Sequence, residues 1–179
     1  MPLTDKVAAA RTVEKLLKDV IHQGGLRLKY RIAIDPPITD QRDWERPEIV
    51  VELAGPDSPL LLERGAELLR SIEYLALEIL HLRPDEHDKV TFDSMGYRAS
   101  RLEELKMAAQ VAAAKVRDTQ LPYAFAPMSS RERRIVHLAL RDEADLRTES
   151  GGEAALRHVV VYPKDYKGKP PAPRFSRRR

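Results

Sequence analysis

The sequence predicts an α+β protein built as two small α/β layers. Three observations carry that expectation. Helical and strand periods succeed one another along the first half in the order helix, strand, strand, helix, strand. A second set of helices and strand-like runs follows from residue 95, and a proline-containing basic tail begins after Pro163. At 179 residues, 42% hydrophobic and 33% charged, the chain can bury one compact core or two small ones without staples. The expected divisions are 1–94, 95–163 and a flexible tail, 164–179.

In the first layer, Val13, Leu16, Leu17, Val20 and Ile21 repeat as on an amphipathic helix, which Gly24-Gly25 ends. Leu26, Leu28, Tyr30, Ile32 and Ile34 then alternate with Arg27, Lys29 and Arg31, the pattern of a strand with a buried face and a solvated basic face. A long loop runs from Asp35 through Trp44 to Pro47, and Ile49–Leu53 forms the second strand. Leu68, Ile72, Leu75 and Ile79 stripe the next helix, and Lys89–Asp93 returns as the third strand.

The second layer opens with a helix over Arg98–Val116, with Leu102, Leu105, Ala109, Ala112 and Val116 facing inward. Pro122–Phe125 reads as a short strand whose Tyr123 and Phe125 serve core packing rather than base stacking, because aromatics are few here. Ser129 and Glu132 match a capping box, so a helix begins near Ser130. Winding brings Arg133, His137 and Arg141 into one row with Arg134 beside it, while Ile135, Leu138 and Ala139 gather opposite. The plain alternative is a solvated face of ordinary surface arginines. Arg147–Glu153 is polar and turn-rich, with Thr148 and Ser150 on one strand face, and Arg157 precedes a valine run closed by Pro163.

Charge is unevenly spread. The tail from Lys164 to Arg179 holds seven basic side chains and one acidic, a net charge of +6; the whole chain is +3, so residues 1–163 carry −3. Attraction to a polyanion must therefore come from local patches and the tail. The absence of cysteine removes disulfides, zinc ribbons and cysteine nucleophiles. No uncharged run approaches the roughly 18–20 residues of a membrane-spanning helix, so a cytoplasmic protein without membrane insertion is expected. His22, His81, His87, His137 and His158 show no metal-ligand spacing, and the glycines form no nucleotide-binding loop, so neither metal nor cofactor is expected. An enzyme is not expected; the remaining catalytic alternative is a nuclease with His137 as base and Arg133 as phosphate clamp.

Pro127-Met128, Glu132-Arg133-Arg134 with His137, Thr148-x-Ser150-x-Gly152, and Arg157 before valines resemble the R-3-H domain, whose Arg-x-x-x-His motif is matched by Arg133 and His137. Thr91-Phe92-Asp93-Ser94-Met95-Gly96-Tyr97-Arg98 with Arg101 is similar to the interdomain junction of the bacterial Jag family, also called SpoIIIJ-associated or EloR-like proteins. The resemblance spans most of the chain. It implies a KH-like layer followed by an R-3-H layer with a mixed sheet packed with helices, and a regulator that binds single-stranded RNA, with single-stranded DNA as the alternative ligand. It also implies that Arg133 contacts phosphate or holds the neighbouring loop, that His137 gives a hydrogen bond or a stacking surface, and that Thr148, Ser150 and Arg157 line the same groove. Arg134 and Arg141 are supporting charges by helical position.

A KH domain that binds RNA has a Gly-x-x-Gly loop, where glycines admit the nucleic-acid backbone closely. The corresponding residues are Leu62, Glu63, Arg64 and Gly65, with bulk in place of the first glycine and a carboxylate where phosphate would approach. The first layer is therefore expected to be a scaffold or a pairing surface, either for a small KH-domain protein or for a second copy. A protein-interaction adaptor is the alternative function. No counterpart of the extra N-terminal domain of some Jag proteins is expected, nor the membrane-insertion or sporulation roles tied to it.

Overall fold

The computed structural model describes residues 5–37, 47–83, 86–169 and 171–173; Trp44 and Arg174–Arg179 lie outside the described residues. The chain divides into two compact units, Met1–Arg98 and Ala99–Arg179. The first holds fourteen basic and eighteen acidic side chains, the second seventeen and ten, so the excess positive charge belongs to the second.

In the first unit, α1 (Lys6–Gln23) is capped by Asp5, whose carboxylate accepts from the Ala8 amide at 2.8 Å. It buries Ala9, Val13 and Leu17. Strand β1 (Lys29–Ile34) runs antiparallel to β2 (Ile49–Ala54), and β2 runs parallel to β3 (Val90–Ser94), giving the order β1-β2-β3. Parallel neighbours need a crossover, and α2 (Ser58–Ile79) supplies it.

The ladder of β1 starts at Lys29 rather than at Leu26. The Leu26 amide closes α1 on the Ile21 carbonyl, and the Arg27 amide donates to Asp57 at 2.7 Å, so both are withdrawn from pairing. The alternation holds for Leu28, Tyr30 and Ile32, which pack against the core, but not for Ile34, which is 39% exposed at the end of the strand. Its basic face is paired as well as solvated: Arg31 lies opposite Glu52, 2.6 Å away, and Arg27 reaches Asp57 at 2.7 Å.

Within α2 the helical path breaks. Glu63 is extended (φ −59°, ψ 154°), and Arg64, Gly65 and Ala66 take left-handed φ values of 51°, 71° and 62°. Beyond the break the buried row differs from the expected stripe, because apolar residues fill two adjoining rows of this helix and periodicity alone fits either. Ile72 is buried, but Leu68, Leu75 and Ile79 are 36%, 47% and 46% exposed, and the core takes Leu69, Ala76 and Leu77 from the adjoining row. Replacing Leu75 by serine should accordingly change stability by no more than about 0.5 kcal/mol in denaturant unfolding. A loss of several kcal/mol would contradict this placement.

Helix α3 (Tyr97–Thr119) starts on the first unit, where Arg98 bonds Glu73 at 2.8 Å and the Phe92 carbonyl at 2.7 Å. Farther along it buries the expected residues together with Ala113. The second unit continues with β4 (Tyr123–Ala124), α4 (Ser130–Ala139), β5 (Leu146–Gly151) and β6 (His158–Pro163), in the sheet order β4-β6-β5. Both ladders are antiparallel, where a mixed sheet was expected. Residues 152–157, which join β5 to β6 through a short 3-10 turn, are too few for a parallel crossover; the mixed sheet belongs to the first unit. Phe125 is buried and meets the half-buried Tyr123 edge-on at 5.2 Å, in keeping with a packing role. Among the described residues no helix is long and apolar enough to cross a membrane.

Candidate nucleic-acid interface

The site grows from the start of α4. Ser129 is extended, its hydroxyl accepts from the Glu132 amide, and the Glu132 carboxylate accepts from the Ser129 amide at 2.9 Å, completing the capping box. Arg101 of α3 donates to the other carboxylate oxygen at 2.8 Å. Burial alone would push the Glu132 carboxyl up, but hydrogen bonds from the Ser129 backbone and Arg101 outweigh it, and the group titrates below the usual carboxylate range. The first turn of α4 is thus anchored to α3 through Glu132, and α4 also buries Ile135 and Val136.

One turn farther on, His137 meets β5. Its Nδ1 lies 2.7 Å from Thr148 Oγ1 and its Nε2 lies 2.9 Å from Ser150 Oγ. A neutral imidazole has one donor and one acceptor, and each hydroxyl can play either part. Burial first, and then the charge of Arg133, holds the His137 pKa below its ordinary value, so the ring is neutral at pH 7. With both nitrogens engaged, the ring clamps helix to strand.

Arg133 stands one turn before His137. Its Nε is buried and has no hydrogen-bond partner among the described residues, and its guanidinium pKa is depressed by burial and then by the charge of Arg157. Arg157 is exposed just before β6, and its carbonyl accepts from the Met128 amide at 2.9 Å, tying the approach to α4 to the approach to β6. Two guanidinium groups close enough to disfavour one another, one with an unused buried donor, suit an anion that supplies acceptors and opposite charge.

The structure therefore brings Arg133, His137, Thr148, Ser150 and Arg157 together. Arg134 is exposed on α4. Arg141 departs from the expected row: α4 ends at Ala139, Leu140 turns into the core, and Arg141 follows in a turn with its Nε 3.6 Å from Asp142. Of the loop residues, Leu62 packs partly against the first unit's core, Glu63 and Arg64 are exposed, Arg64 lies 3.9 Å from Glu67, and the Gly65 carbonyl accepts from the Tyr97 hydroxyl at 3.3 Å. Among the described residues, no three His, Asp or Glu side chains gather as a metal-binding group.

Sequence reasoning missed Arg101 and His158 as supports of the site. Arg101 lies 31 residues from Glu132, so no local pattern links them. His158 is buried, and its Nδ1 lies 2.9 Å from the Leu156 carbonyl oxygen inside the turn that presents Arg157.

The R-3-H domain family matches residues 103–163. The RNA-binding protein KhpB of Bacillus subtilis (strain 168) is 31% identical over 161 residues, covering 87% of this chain and 76% of that protein. The RNA-binding protein KhpB of Clostridium symbiosum is 33% identical over 114 residues, covering 64% of this chain and 51% of that protein. A third, from Streptococcus pneumoniae (strain D39), is 26% identical over 128 residues and is covered over 39% of its length. The matches thus span about half of the Clostridium symbiosum protein and three quarters of the Bacillus subtilis one.

Proposed function

The chain belongs to the KhpB family, and from that premise we propose that it is a cytoplasmic regulator that binds single-stranded RNA without chemically altering it. The contact surface is the part of the second unit where Arg133, Arg157 and the clamp of His137, Thr148 and Ser150 come together. The observation that carries this reading is two cations placed together: Arg133, whose buried Nε has no hydrogen-bond partner among the described residues, stands beside the positive charge of Arg157. A phosphate there removes the mutual repulsion of the two cations. The His137 face offers a stacking surface, while Arg134 and the basic tail add salt-sensitive attraction that is indifferent to sequence.

In the first unit, Leu62 fills the place of a loop glycine and Glu63 faces solvent, which supports a scaffold role for that loop. The exposed apolar side chains Leu68, Leu75 and Ile79 favour a pairing surface there for a small KH-domain protein or a second copy.

The test is the double substitution Arg133→Ala and His137→Ala. Affinity for single-stranded RNA should fall at least about tenfold, and the dependence of log affinity on log salt should lose roughly 0.7 per phosphate contact removed. Unchanged affinity in a folded double variant would reject this surface. RNA kept intact during long incubation, with or without divalent metal, is expected of a binder; shortened RNA would favour the nuclease alternative.

A further inference from the structure

The outer face of α1 holds a feature that the surface described above does not use. Arg11, Lys15, Lys18 and His22 follow one another at intervals of four, three and four residues, which places them in one row along the helix, opposite buried Val13 and Leu17. All four are exposed. At 1.5 Å rise per residue the row is about 16 Å long. It stands on a unit with more acidic than basic side chains, so it is a local reversal of sign rather than part of a uniform field. The acidic neighbours are Glu14, 2.8 Å from Lys18 and within electrostatic reach of Arg11, and Asp19 on the opposite flank.

At its C-terminal end the row runs into a cleft of about 450 Å³ between α1 and β1. It is lined by exposed Lys18 and His22, half-buried Ile21, Leu26 and Leu28, and Tyr30, whose hydroxyl lies 3.5 Å from Glu14. Gly25 at the edge leaves open space, since a Cβ built there meets nothing within 4 Å. A charged row leading to an apolar cleft with an aromatic wall combines what a single-stranded nucleic acid needs: cations for successive phosphates and an apolar slot for one base. We propose that the outer face of α1 and the cleft it shares with β1 form a second single-stranded RNA contact, distinct from the Leu62–Gly65 loop and from the Arg133 surface. It rests on the reading that the chain binds RNA, and assigns a share of that binding to the first unit.

The experiment uses the full chain and oligouridylate of about 20 nucleotides, long enough to occupy more than one site. Arg11→Glu with Lys15→Glu should weaken binding about five- to tenfold at roughly 0.1 M salt and lower the magnitude of the salt slope by roughly 1.4. A control, Lys29→Glu with Lys106→Glu, makes the same change in net charge at exposed positions outside the row, and should weaken binding less than twofold. Ultraviolet cross-linking should place uridine on the peptide holding His22 and Tyr30 in the wild type and lose it in the row variant. Equal effects of the two charge reversals, or cross-links confined to residues 99–179, would overturn the inference while leaving the Arg133 surface intact. If the Arg133 and His137 variant keeps full affinity while the row variant loses it, the earlier reading fails and this one stands.

Discussion

Replacing Gly152 with alanine should cost the second unit about 3 kcal/mol, and RNA affinity should fall along with stability. Gly152 has φ +81°, a region that side-chain-bearing residues avoid, and a Cβ there would stand 2.4 Å from the Leu156 carbonyl oxygen and 3.1 Å from His158 Nδ1. The first of these is backbone, so relief requires the 152–157 connection to move. That connection sets where Arg157 stands beside Arg133, and it follows directly on the strand that carries Thr148 and Ser150. Urea unfolding would read the stability loss, and RNA titration at a temperature where the variant is folded would read the displacement of Arg157. An alanine variant as stable as the wild type would show that the turn has another conformation open to it.

Loss of the Glu132 carboxylate is the second large effect. Glu132→Ala removes acceptors used by the Ser129 amide and Arg101, and should destabilise the second unit by about 2–3 kcal/mol. The lower end is favoured because the Arg101 side chain is 36% exposed and water recovers part of its solvation. Glu132→Gln keeps a side chain suited to the capping box and should lose less. The pH dependence has a definite sign. The folded-state pKa lies below the unfolded one, so the contribution is fully present above the unfolded value near roughly 4.3 and disappears as pH falls through the folded value. Across that range the wild type should lose stability more steeply than the glutamine variant. Parallel acid-unfolding curves would remove Glu132 from this role.

The parts legible in the sequence were those fixed by neighbours within a turn or two. The Ser129 and Glu132 cap, the alternation through Leu28, Tyr30 and Ile32, and the inner row of α3 appear where local periodicity places them. The motif match likewise singled out His137, Thr148 and Ser150 before the structure joined them. The phase of α2 was not legible, because Leu68, Leu69, Ile72, Leu75, Ala76 and Leu77 fill adjoining rows, and packing rather than periodicity selects Leu69 and Ala76 over Leu68 and Leu75. Nor was the end of α4, since Leu140 leaves the helix to fill the core and strands Arg141 beyond it.

By itself the sequence determined the succession of helices and strands, the family resemblance and the residue types available for binding RNA, because these depend on short-range pattern and composition. Only the tertiary structure decided that both ring nitrogens of His137 are occupied, that Arg133 keeps an unused donor near Arg157, and that Arg101 holds Glu132 from another helix. Those facts come from contacts between residues far apart in the chain, where burial strengthens electrostatic interactions and makes an unpaired polar group costly.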